Sequence, residues 1–154
     1  SGILCDTHLR TPLKARARPT AAQAETIFAT CVADPRRIAP YTDAGCQVWT
    51  LPEQGGRVQV SALMDRLGAA EIDGVLLEGG GTLNWAMLEA GLVQRVQAYI
   101  APKLLGGAGA KSPVEGRGAA APDQGVRLKN MTVTALGADF LLEGDVDADV
   151  YGTH

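Results

Sequence analysis

The chain has 154 residues, 46% of them hydrophobic and 20% charged, the balance of one soluble globular domain or a large piece of one. Its formal net charge of −3 argues against a nucleic-acid surface, which carries a basic excess. No apolar run approaches the roughly 18 residues of a membrane span, and the start lacks the basic-then-apolar pattern of a signal peptide.

In chain order, Ile3 to Asp6 predicts a short strand. Thr11 to Ala24, rich in Pro, Arg and Ala, reads as a connecting loop, and its basic residues with Arg10 (Lys14, Arg16, Arg18) are solvated or hold an anion. Thr26 to Thr30 is a second strand, and Cys46 to Leu51 a third, half-buried one. Val60 to Leu67 is a helix whose Leu63, Met64 and Leu67 share a face. Ile72 to Leu77, apolar apart from Asp73, is expected to be a central strand buried on both faces. Thr82 to Ala90 follows as a helix with Leu83, Ala86, Met87 and Ala90 on one stripe and Gly91 as its stop. Val96 to Ala101 is a strand ended by Pro102. Gly106 to Gly125, rich in Gly, Ala and Pro, is expected to be a mobile loop. Arg127 to Leu136 and Phe140 to Gly144 alternate about Gly137-Ala138-Asp139 as an antiparallel hairpin does. Asp145, Asp147 and Asp149 read as a frayed acidic tail. The whole predicts an α/β fold, a mostly parallel sheet flanked by helices with a C-terminal antiparallel hairpin.

Three cysteines, Cys5, Cys31 and Cys46, fit neither a disulfide framework nor a zinc site, and His8 and His154 lie near the ends. Reduced thiols buried in strands, in a cytoplasmic protein without a bound metal, are the expectation.

Chemistry concentrates at Glu78-Gly79-Gly80-Gly81-Thr82, where an apolar run meets a helix start. Three glycines there allow positive φ and close approach of a ligand to the main chain. The helix start offers unpaired N–H groups and a positive dipole end, so a phosphate is favoured, with Thr82 as a further donor or a cap. A plain glycine-rich connector is the bland alternative. Two familiar phosphate motifs fail. A dinucleotide fingerprint beginning at Gly79 needs glycine where Asn84 stands, and a P-loop ending at Lys111-Ser112 needs glycine where Leu105 and Ala110 stand. Glu78, a carboxylate at the end of an apolar strand, is costly there unless it is paired or faces a ligand.

Four blocks together resemble the reductase domain of the bifunctional bacterial riboflavin-biosynthesis deaminase/reductase: Asp6-Thr7-His8-Leu9-Arg10-Thr11-Pro12-Leu13, Leu77 to Leu83, Ala90-Gly91-Leu92-Val93, and Tyr99 to Gly106. The resemblance implies a dihydrofolate-reductase-like fold. It implies NADPH-dependent reduction of 5-amino-6-(5-phosphoribosylamino)uracil to the ribitylamino compound, by hydride delivery to the opened ribose C1′. By position it implies that Glu78 contacts the small-molecule substrate. Gly80, Gly81, Thr82, Leu83, Asn84, Trp85 and Ala86 would line the NADPH phosphates, with Thr7 on the nucleotide. Arg10, by its charge, would pair with the 2′-phosphate. No catalytic residue is assigned, and the analogy implies a homodimer.

Where that family's reductase domain opens with a further strand and helix before the Ile3 strand, this chain has neither, nor the H-x-E and P-C zinc signature of the deaminase half. Residues 1–154 therefore read as the C-terminal part of a reductase domain, inactive alone. The alternatives are a related reductase of another pyrimidine or pteridine, and a non-catalytic nucleotide-binding module.

Overall fold

A computed structural model describes residues 1–13, 25–107 and 109–147 and divides the chain into two compact units, Ser1–Gly74 and Val75–His154. The basic residues Lys14, Arg16 and Arg18, as well as Asp149 and His154, lie outside the described residues.

The first unit is built on three parallel strands in the order β1-β2-β3: β1 (Gly2–Cys5), β2 (Thr26–Thr30) and β3 (Gln47–Thr50). Ile3 pairs with Ile27, and Ile27 with Gln47. All five residues of β2 are buried, because a strand flanked on both edges and covered on both faces leaves no polar side to alternate with. Thr30 is tolerable there because its Oγ1 donates to the Thr7 carbonyl at 3.0 Å and accepts from Val32 N–H at 3.2 Å. Helix α1 (Pro35–Asp43) was not read from the sequence. Its signals are nonetheless present: the Asp34 carboxylate caps Arg36 N–H at 2.9 Å, and Pro35 occupies the first turn. Tyr41 turns inward from α1, its ring edge-on to Phe28 with centroids 4.9 Å apart, and joins Leu9 and Val32 in one apolar cluster.

Two further elements complete this unit. Glu53–Gln54 (β4) and Arg57–Val58 (β5) form a minimal hairpin around Gly55 and Gly56, both at positive φ as a two-residue turn requires. Helix α2 (Val60–Ala69) buries Leu63 and Leu67 as its spacing predicts, with Met64 half-buried. The cysteines are free, but none is buried: Cys5 is exposed, and Cys31 and Cys46 flank strands rather than lying within them.

The run 72–77 is a correction. It forms no strand and takes part in no ladder among the described residues, and Val75 and Leu76 are exposed. A largely apolar run becomes a central strand only where neighbours pair with both edges, and among the described residues none does; Asp73 also interrupts the run. The boundary between the units falls within it.

In the second unit, helix α3 (Gly81–Glu89) precedes three antiparallel strands in the order β6-β8-β7: β6 (Arg95–Ile100), β7 (Leu128–Leu136) and β8 (Asp139–Val146). Leu136 pairs with Asp139 across the turn at Gly137, whose φ is positive. Asn130 sits at φ +54 in a bulge of β7 opposite Gly144, where a Cβ would strike the Met131 sulfur. The expected stripe on α3 is only partly inward: Met87 is buried, Leu83 and Ala86 are half-buried, and Ala90 is exposed. Of the acidic residues expected to fray, Asp145 and Asp147 are held in place. Asp145 accepts from Arg95 at 3.2 Å and from Asn130 at 3.0 Å, and Asp147 pairs with Lys129 at 2.9 Å. No helix among the described residues is long and apolar enough to cross a membrane.

Candidate functional site

The glycine turn lies in the second unit. Gly80 is the N-cap of α3, with φ −56 and ψ 158, and its carbonyl accepts from Leu83 and Asn84 N–H at 2.9 and 3.1 Å. Gly81 and Thr82 hold the first helical positions, where an N–H has no intrahelical acceptor and the helix dipole is positive. Thr82 thus stands inside the first turn and does not cap it.

The glycines serve one of the two expected purposes. None of the three adopts positive φ, so close approach remains as the reason for them. A Cβ on Gly81 would lie 2.7 Å from the Ser112 carbonyl oxygen and 2.6 Å from Glu115 Cγ. A Cβ on Gly79 would meet Leu83 Cδ2 at 2.9 Å, the end of a flexible side chain. A Cβ on Gly80 would meet nothing within 4 Å, so the turn is open at that residue and closed on either side of it.

What closes it at Gly81 is part of the glycine-rich excursion that was expected to be mobile. Glu115 N–H donates to the Gly81 carbonyl at 2.9 Å, and Glu115 Oε1 accepts from Ser112 N–H at 3.1 Å. Asn84 Nδ2 donates to the Pro113 carbonyl at 2.8 Å, and Arg117 pairs with Glu89. Gly116, at φ +97, lies against the Trp85 ring. Asn84 and Trp85, both expected at the phosphates, are thus engaged with residues 112–116, and buried Asn84 Oδ1 and Trp85 Nε1 find no hydrogen-bond partner among the described residues. Glu78 is exposed two residues before the cap, so the cost of burying its carboxylate no longer argues for a ligand. Ser112, Glu115 and Arg117 were missed because an irregular loop has no periodicity to reveal what it packs on.

Thr7 and Arg10 belong to the first unit, on the loop that leaves the carboxyl end of β1, the edge where parallel sheets place ligands. Its conformation is held by side chains. One Asp6 carboxylate oxygen accepts from the Arg10 and Thr11 amides at 2.8 and 2.7 Å. Partial burial works to raise the Asp6 pKa, but hydrogen bonds from Thr11, Arg10 and His8 outweigh it and hold the carboxyl below its ordinary range. Thr7 is also committed: its carbonyl accepts from Cys31 N–H at 3.1 Å, and its hydroxyl from Val58 N–H at 3.3 Å. Leu9 is buried at φ +46, a left-handed conformation costing a branched residue roughly 1–2 kcal/mol. Two contacts from α1 hold it there: the Tyr41 hydroxyl reaches the Leu9 and Thr11 carbonyls at 3.1 and 3.0 Å, and the Arg37 guanidinium donates to the His8 carbonyl. Burial and the Asp6 charge push the Tyr41 phenol up, against the opposing pull of Arg37.

The mixed α/β fold, with its parallel and its antiparallel sheet, is dihydrofolate-reductase-like. The solved structure of RibD from Acinetobacter baumannii agrees, with a TM-score of 0.73 at 23% identity over 94% of this chain and 37% of that one. Within that class, the chain belongs to the RibD C-terminal domain family, whose model matches residues 2–142. It is 42% identical to the riboflavin biosynthesis protein RibD of Actinobacillus pleuropneumoniae over 141 residues, 92% of this chain and 38% of the relative. It is 39% identical to the 2,5-diamino-6-ribosylamino-4(3H)-pyrimidinone 5′-phosphate reductase of Methanothermobacter thermautotrophicus over 87 residues, 56% of this chain and 40% of that protein. The chain thus spans about two fifths of the length of these relatives.

Proposed function

We propose that this chain is the cofactor-side, C-terminal part of a reductase domain that reduces 5-amino-6-(5-phosphoribosylamino)uracil with NADPH in cytoplasmic riboflavin biosynthesis. The observation that carries the reading is the start of α3: its first N–H groups lack intrahelical acceptors, and the cap residue Gly80 has open space where a side chain would be. A dianionic or pyrophosphate group fits such a place. Gly80, Gly81 and Thr82 hold the cofactor phosphates through the main chain. Leu83, Asn84, Trp85 and Ala86 support them as the first two turns of the helix. By the family resemblance Thr7 contacts the nucleotide, Arg10 pairs with its 2′-phosphate, and exposed Glu78 meets the substrate.

Bound NADPH supplies the hydride. The chain's own part is to hold the two reactants in line and keep water out, the share of catalysis that positioning provides. A homodimer is part of the proposal, supported by Tyr99, Ile100, Val133 and Phe140, large apolar side chains exposed on the antiparallel sheet. The unpaired apolar run 72–77 supports reading the chain as part of a larger domain, hence as unable to turn over substrate alone. Calorimetric titration and a coupled absorbance assay test both halves. The expected result is saturable NADPH binding without substrate-dependent NADPH oxidation, and absence of binding would reject the reductase reading.

A further inference from the structure

Residues 112–117 run along one face of α3, from its first turn to its last. Glu115 N–H donates to the Gly81 carbonyl, Asn84 Nδ2 to the Pro113 carbonyl, Gly116 rests against the Trp85 ring, and Arg117 pairs with Glu89. Little holds the segment down. All of its residues are exposed, and its ion pair joins side chains 84% and 43% exposed, where water screens the attraction. Both side chains that it touches mid-helix keep a buried polar atom, Asn84 Oδ1 and Trp85 Nε1, without a hydrogen-bond partner among the described residues. The closed arrangement is therefore not a fully satisfied one. Charge enters at Glu115. Helix α3 has no acidic residue in its own first turn, where the dipole favours a negative charge. Glu115 supplies one from the segment: its Cβ and Cγ lie 2.9 and 2.6 Å from where a Cβ on Gly81 would be, and its Oε1 accepts from Ser112 N–H at 3.1 Å. The Ser112 carbonyl oxygen is 2.7 Å from the same point. A carboxylate and a carbonyl oxygen thus stand on the Gly81 side of a cap that is open at Gly80.

From this placement we infer that residues 112–117 are a strap that competes with a bound phosphate for the start of α3. Closed, it lends the helix Glu115 as a substitute anion; released, it yields that place to the ligand. Like charges cannot share one dipole end without repulsion, so Glu115 holds phosphate affinity below what the cap alone would give. The inference rests on the proposed reading of the cap as a phosphate site and adds to it an autoinhibitory contact.

Titrations of NADPH and inorganic pyrophosphate against the wild-type chain, Glu115→Gln and Arg117→Ala test it, together with hydrogen exchange of the strap. Glu115→Gln keeps an oxygen for the Ser112 amide and removes the charge. Both ligands should then bind roughly threefold or more tighter at low ionic strength, and the gain should shrink as salt rises. Arg117→Ala frees the strap at the far end of α3, so exchange at 112–117 should quicken and affinity rise by a smaller factor. In wild type, saturating NADPH should strip protection from the Glu115 amide. If wild type binds NADPH and Glu115→Gln binds it equally or more weakly, or if bound NADPH raises protection at 112–117, the inference falls and the phosphate reading stands. If only pyrophosphate binds, and more tightly to Glu115→Gln, the strap stands and the reductase reading falls. If wild type binds neither ligand, both fall.

Discussion

The loop 6–11 and the turn 79–81 are built by opposite means. The loop 6–11 is fixed by side chains: Asp6 holds two amides, Thr30 and Tyr41 hold carbonyls, Arg37 clamps His8, and Leu9 is forced into a left-handed conformation. The turn 79–81 is fixed by the absence of side chains, with ordinary φ throughout and glycines that admit other backbone. Charge is presented by the first segment and main-chain N–H groups by the second. The first should therefore fail by losing a polar group, the second by gaining a carbon atom.

Asp6→Ala gives the largest expected effect. Two amides lose a charged acceptor in a partly buried loop that also stores backbone strain, so thermal or urea unfolding should show a loss of about 2–3 kcal/mol. The pH dependence has a definite sign. The folded Asp6 pKa is depressed, so its contribution is complete above the unfolded value and is lost as pH falls through the folded one. Wild type should thus lose stability below about pH 4 at a position where Asp6→Ala shows none of that loss.

Gly81→Ala comes next. Its Cβ would press on the Ser112 carbonyl, which belongs to backbone and cannot rotate away, at a cost of roughly 1–3 kcal/mol. Hydrogen exchange should show residues 112–117 losing protection as they lift from α3. Unchanged protection would mean that the packing at Gly81 is not what holds them. Gly80, one residue earlier, should tolerate a side chain without penalty, and that contrast within two residues is the sharpest form of the comparison.

How much of this could be read from the sequence follows the same division. Strand β2 was legible to the residue, because Thr26 to Thr30 combines β-branched Thr26, Ile27 and Thr30 with apolar Phe28 and Ala29. Helices α2 and α3 and the closing hairpin were legible within one or two residues from their periodicity. Helix α1 was not, since Pro40 and four polar residues (Arg36, Arg37, Thr42 and Asp43) leave little beyond Ile38 and Tyr41 to mark its inner face. Arg37 was missed with it. The run 72–77 has the composition of a buried strand, but composition does not supply neighbours. Of the two reasons read for the glycine turn, positive φ is not used, while close approach is, with the Ser112 carbonyl beside Gly81. Glu115, 34 positions after Gly81, shows what stayed hidden, since only the folded chain reveals which backbone approaches a glycine.

The central claim is that the open cap of α3 receives a phosphate of NADPH, and Gly80→Asp tests it most directly. Aspartate is a favoured N-cap, and φ −56 with ψ 158 suits any residue, so helix and fold should be unharmed. The same carboxylate would occupy and repel the place assigned to the phosphate. The account predicts an unchanged or slightly raised melting temperature together with a loss of NADPH affinity of at least about tenfold by calorimetry. A variant that melts normally and binds NADPH as tightly as wild type would contradict it.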